Sequence, residues 1–91
     1  MKRVEAVLEI KNTLGLHARP ATLFVQLASG YNSEIVVEKD GEQINGKSLM
    51  GLLMLSAGCG AVIKVIAEGD DSDEAVKSIS SLIENKFNEE D

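Results

Sequence analysis

The sequence predicts an α+β sandwich, with helices on one face of a mainly antiparallel sheet and elements in the order β-α-β-β-α-β-α. Apolar residues alternate with period two near the N-terminus and on either side of a tight-turn pair. They recur at helical spacing in two longer segments. The chain has 91 residues, 44% of them apolar, enough for one two-layer core, whereas two domains would each be too small to hold one.

Val4, Ala6, Leu8 and Ile10 share one face of the first strand, and Arg3, Glu5, Val7 and Glu9 share the other, the pattern of a half-buried strand. Asn12-Thr13-Leu14-Gly15 reads as a loop. A helix follows in which Ala21, Phe24, Val25 and Ala28 make one apolar stripe, and Gly30 stops it. Glu34–Lys39 and Glu42–Asn45 flank Asp40-Gly41, a pair favoured in two-residue hairpin turns. Between Ser48 and Ser56 a helical run is apolar on every side, with Leu49, Met50, Leu52, Leu53, Met54 and Leu55. Gly58-Cys59-Gly60 turns the chain into the last strand, Val62 to Ala67. The last helix opens at Asp71 with Glu74 three residues on, a capping-box pattern, and its stripe is Val76, Ile79, Ile83 and Phe87 with Leu82 beside it. The acidic end from Asn88 to Asp91 reads as a frayed tail.

Nine Lys and Arg against fifteen Asp and Glu give a net charge of −6. That balance argues against nucleic acid and anionic membranes as partners, because phosphate backbones are bound chiefly by Lys and Arg. With only Phe24, Tyr31 and Phe87 as aromatic rings, no platform for stacking bases can be built. One cysteine, Cys59, and one histidine, His17, exclude an intrachain disulfide and leave no ligand set for a structural zinc. The longest uncharged stretch, Ser48 to Ile63, has 16 residues broken by three glycines, too short to span a bilayer. Glu5 and Glu9 interrupt the N-terminal apolar residues, so no signal peptide is expected there.

His17 lies where the loop becomes the first helix, in Gly15-Leu16-His17-Ala18-Arg19-Pro20-Ala21. Pro20 belongs in the first turn, since deeper it would remove a hydrogen bond and clash, which puts His17 at or next to the N-cap. Unsatisfied N–H groups and the positive end of the helix dipole disfavour imidazolium there and welcome an anion. A neutral ring keeps one nitrogen free to attack phosphorus, and the phosphate formed would meet the amides and the Arg19 guanidinium. On local chemistry alone a histidine at a helix start is more often a polar cap, Arg19 a surface charge, and Ser48 an N-cap.

That seven-residue segment resembles the active-site signature of the HPr family, the histidine-containing phosphocarriers of the bacterial phosphoenolpyruvate-dependent phosphotransferase system. The likeness extends to chain length, element order, the spacing from His17 to Ser48, and the segment Asn45-Gly46-Lys47-Ser48-Leu49-Met50-Gly51-Leu52, which resembles the family's serine-phosphorylation region. It implies an open-faced sandwich of four antiparallel strands under three helices, acting as a cytoplasmic bacterial phosphocarrier and not an enzyme, with no cofactor and no metal. It further implies that His17 takes a phosphoryl group on Nδ1 from enzyme I and passes it to a IIA component of a sugar permease. Arg19 would stabilise the phosphate, and the backbone of Ala18 and Arg19 would ligate it. Ser48 would match the serine modified by an ATP-dependent kinase, the HPr serine kinase/phosphorylase. Gly46 stands where the family commonly has a bulkier residue.

Asn12-Thr13-Leu14-Gly15, Leu52-Leu53-Met54-Leu55 and the acidic end resemble the nitrogen-related branch, whereas Gly46-Lys47-Ser48-Leu49-Met50-Gly51 resembles the sugar branch. Two other classes compete. An enzyme would use His17 as general base, but no carboxylate lies near it in sequence. A regulatory module would keep the fold and act through Ser48, but would be expected to lack the active-site histidine. A short helix that is apolar all round is either inserted deeply, with loops covering its outer side, or leaves side chains for a partner. On the second reading Leu49, Met50 and Leu53, together with Leu16 and with Leu23 on the first helix, are expected to dock donor and acceptor alike on a monomeric carrier.

Overall fold

The computed structural model of the protein describes residues 2–89. Its strands are β1 (Arg3–Glu9), β2 (Glu34–Lys39), β3 (Glu42–Asn45) and β4 (Val62–Glu68), and its helices are α1 (Ala18–Ser29), α2 (Leu49–Met54) and α3 (Ser72–Glu84), in the predicted order. The sheet runs β1-β4-β2-β3 with every pairing antiparallel. Asp40 (φ 52°) and Gly41 (φ 84°) are both left-handed, the conformation that matches a two-residue turn to the twist of its strands.

The register lines up the inward side chains: Leu8 opposite Ile63, Ala6 opposite Val65, and Val37 opposite Val65 on the other side. All three helices cover that face, and Phe24, Ile35, Val37, Leu52, Ile63, Val65, Ile79 and Ile83 are buried between the layers. The reverse face stays open, with Val7 and Val62 exposed and Glu5 bridging Arg3 and Lys64.

Two local expectations are corrected. The last helix does not continue its stripe to Phe87: it ends at Glu84, and Lys86, Phe87 and Asn88 are left-handed with φ of 56°, 53° and 63°. Left-handed backbone costs about 1–2 kcal/mol per non-glycine residue, and full burial of the Phe87 ring offsets part of it, by about 3 kcal/mol at most. Nor is the start of the tail frayed. Asn88 and Glu89 bond back to Asn85 and Lys86 through their amides, while Glu90 and Asp91 lie outside the described residues.

The capping box at Asp71 does not form. Asp71 is the N-cap residue of α3, but its φ of −102° and ψ of 22° are not the extended conformation of a side-chain cap. Its carboxylate instead accepts from the amides of Asn32 (2.8 Å) and Ser33 (2.9 Å) and from the Ser33 hydroxyl. Three donors on the loop between α1 and β2 outweigh one on its own helix. The Ser33 hydroxyl first, then the Asn32 amide, hold the Asp71 carboxyl below its ordinary 3.8. A folded-state value below the unfolded one stabilises the fold above the unfolded value, and that stabilisation disappears as pH falls through the folded value. Asp71→Asn should therefore melt below the parent near neutral pH, and the two melting curves should converge in acid below 3.8. A gap that stays constant into acid would contradict the account.

Candidate functional site

The loop before α1 is built on Gly15. Its φ is 71°, and a Cβ there would lie 2.6 Å from both the Ala57 carbonyl oxygen and the Gly58 Cα, so only glycine fits. The Leu16 amide donates to the Ala57 carbonyl at 2.8 Å, and the Asn12 side-chain amide donates to the Gly15 carbonyl at 2.7 Å. Leu16 is 5% exposed and belongs to the core. It is removed from the docking set, because the bond to Ala57 draws its backbone against the body of the protein.

His17 is the N-cap of α1, extended at φ −86° and ψ −171°, and its side chain makes no cap bond. Pro20 is buried in the first turn, and the Ala21 amide bonds the His17 carbonyl at 2.9 Å. Proline has no N–H, so the amides left without a helical partner are those of Ala18 and Arg19. The first turn carries no acidic residue, and Arg19 is exposed and in no ion pair among the described residues. An imidazole about one-third exposed thus stands at a helix start with two free amides, and the exposed Arg19 follows two residues on.

The fold also supplies what the sequence did not bring near. Glu89, 72 residues away, places Oε2 3.0 Å from His17 Nε2. Its other oxygen accepts from the Asn12 side-chain amide at 2.9 Å. No carboxylate lies near His17 in sequence, but the fold brings one to its ring. No sequence pattern could have placed Glu89, since the contact depends on the left-handed turn that follows α3.

Ser48 caps α2, its Oγ accepting from the Gly51 amide at 3.1 Å. Gly46 before it is buried against Ile35, whose Cγ2 would sit 2.6 Å from a Cβ at that position. The absence of the bulkier residue is a packing requirement of this core.

On α2, Leu52 and the following Leu55 point inward, which leaves Leu49 (40% exposed), Met50 (69%), Leu53 (37%) and Met54 (68%) outside. A two-turn helix with 3.6 residues per turn can turn only one side to the core. Met54 and the loop residue Leu14 (72%) are exposed apolar positions that the sequence reading left out. Leu23 on the neighbouring α1 is half-buried against the core. No helix among the described residues is long and apolar enough to cross a membrane.

Known proteins resemble this chain in sequence and in fold. Residues 4–85 match the family model described as the PTS HPr component phosphorylation site. The chain is 48% identical to the HPr-like protein Crh of Halalkalibacterium halodurans, over 91% of this chain and 99% of that protein. It is 41% identical to the phosphocarrier protein HPr of Treponema pallidum, over 96% and 99%. A crystal structure of HPr from Thermoanaerobacter tengcongensis superposes with a TM-score of 0.92 at 56% identity, covering 99% of each chain.

Proposed function

Because the chain belongs to the HPr family, whose members are phosphocarriers and not catalysts, we propose that His17 is its carrier residue. The observation that carries this is the placement of His17 as the N-cap of α1, with the Ala18 and Arg19 amides unpartnered beside it. In the proposed reaction the Nδ1 lone pair attacks the phosphorus of the phosphoryl group carried by enzyme I. The bond from that phosphorus to the donor atom breaks as the new one forms, and its electron pair returns to the donor. The two amides and the Arg19 guanidinium take the phosphate charge, as a helix N-terminus and an arginine fork do for anions generally. Passing the group to a IIA component of a sugar permease reverses the same step. This exchange would take place in the cytoplasm, between a monomer and each partner in turn.

Leu49, Met50 and Leu53, flanked by Leu23, are proposed as the shared docking face, and Met54 joins them on exposure. Ser48 is proposed as a regulatory site for a serine kinase. A phosphate there adds roughly two negative charges beside an apolar face, at a helix start that tolerates them. A second reading, a regulatory module acting through Ser48, draws on the similarity to the HPr-like protein Crh. A nitrogen-related carrier would use the same His17 with a different acceptor.

Two assays test this reading. With enzyme I and labelled phosphoenolpyruvate, label should enter the protein and leave it on addition of a IIA component. Label that enters but moves to no sugar IIA component would favour the nitrogen-related branch, and none entering would favour the regulatory module. In the second assay, Met50→Glu, at an exposed position, and Ser48→Asp, whose carboxylate can still cap α2, should each keep melting near the parent and slow transfer from enzyme I by about tenfold, the scale of one interface anchor. Normal transfer in both would place the partner face elsewhere.

A further inference from the structure

We infer that Glu89 is a positioning residue for phosphoryl transfer at His17: it holds the ring through Nε2, so that Nδ1 presents its lone pair, and it balances the positive charge that the ring acquires when loaded. This rests on His17 being the carrier. The segment that supplies Glu89 follows the region matched by the family model, which stops at residue 85.

The contact is a built one. The Glu89 side chain is 14% exposed, against 35% for His17, so its carboxylate is largely withdrawn from water. Its second oxygen is held by Asn12 at 2.9 Å. The Asn12 side chain is wholly buried, and its amide nitrogen also grips the Gly15 carbonyl at 2.7 Å. Turning that amide over would set its oxygen against both a carbonyl and a carboxylate, so the nitrogen must face them. The loop that carries His17 and the carboxylate that touches its ring are thus tied by one side chain.

The chemistry follows from proton counting. A neutral imidazole has one N–H, and a carboxylate can only accept. The proton therefore stays on Nε2, leaving the lone pair on Nδ1. When Nδ1 forms its bond to phosphorus, no proton leaves Nε2 and the ring becomes a cation beside the Glu89 anion. When the phosphoryl group departs, the electron pair returns to Nδ1 and the neutral ring keeps its bond to Glu89. The carboxylate accordingly favours the loaded form over the empty one.

The test equilibrates the protein with enzyme I and limiting phosphoenolpyruvate and reads the ratio of loaded to empty carrier. Glu89→Gln keeps the shape and removes the charge, and should lower that ratio about three- to tenfold, the range for a partly buried charged hydrogen bond. Glu89→Asp should recover part of it. A residue that only supported the fold would lower melting without moving the ratio, so an unchanged ratio in Glu89→Gln overturns the inference. Nitrogen NMR of the free protein at about pH 9, where an ordinary imidazole is neutral, should find the His17 proton on Nε2. A proton predominantly on Nδ1 overturns the inference too. This second measurement needs no donor, so it decides the role of Glu89 even if enzyme I fails to load the protein, a failure that would count against the carrier reading instead.

Discussion

Replacing His17 with alanine is expected to abolish phosphoryl acceptance and leave the fold standing. Removing a polar N-cap side chain costs about 1 kcal/mol; here the His17 ring makes no cap bond and is about one-third exposed, and the Glu89 carboxylate it touches keeps its bond from Asn12. What disappears is the only imidazole in the chain. The variant should take no label from enzyme I and labelled phosphoenolpyruvate, while its melting temperature stays within a few degrees of the parent. Label retained at the parent's level would show that another residue carries the group.

The second large effect is expected at Gly15. In Gly15→Ala the new Cβ meets the Ala57 carbonyl oxygen and the Gly58 Cα, each at 2.6 Å, with φ at 71°. The clash is with backbone on both sides, so no flexible side chain can yield. Left-handed alanine costs about 1–2 kcal/mol, and forced displacement of packed structure adds about 1–3 kcal/mol. Urea unfolding should find the variant less stable by about 2–5 kcal/mol, the sum of those two costs. Because the Gly15 carbonyl accepts both the Asn12 side-chain amide and the His17 amide, moving it displaces His17, and transfer should slow as well. An Ala variant as stable as the parent would mean that the loop relaxes freely and does not hold the site.

The parts of this protein legible in its sequence are those set by local periodicity and turn chemistry. Period two in β1, the Asp40-Gly41 turn and the stripes of α1 and α3 each depend on residues a few positions apart, and each element stands where those residues put it. The place of His17 was legible for a similar reason, since Pro20 admits only the first turn of a helix. What could not be read depends on contacts between distant segments. Asp71 carries the pattern of a capping box, yet better donors arrive from Asn32 and Ser33, 39 and 38 residues earlier. Leu16 adjoins His17 and is apolar like a docking residue, but a backbone bond to Ala57 takes it into the core. Phe87 continues a helical spacing that the chain abandons at Glu84, and Glu89 touches His17 only because it does.

The central claim is that His17 Nδ1 holds the transferred phosphoryl group. Phosphorus–proton correlation NMR of the protein loaded by enzyme I and phosphoenolpyruvate tests it most directly. The account predicts a single acid-labile phosphoramidate signal, correlated with the ring protons of His17 in the pattern of an Nδ1 adduct. A phosphoester at Ser48, or a phosphoramidate on Nε2 with Glu89 displaced, would contradict it.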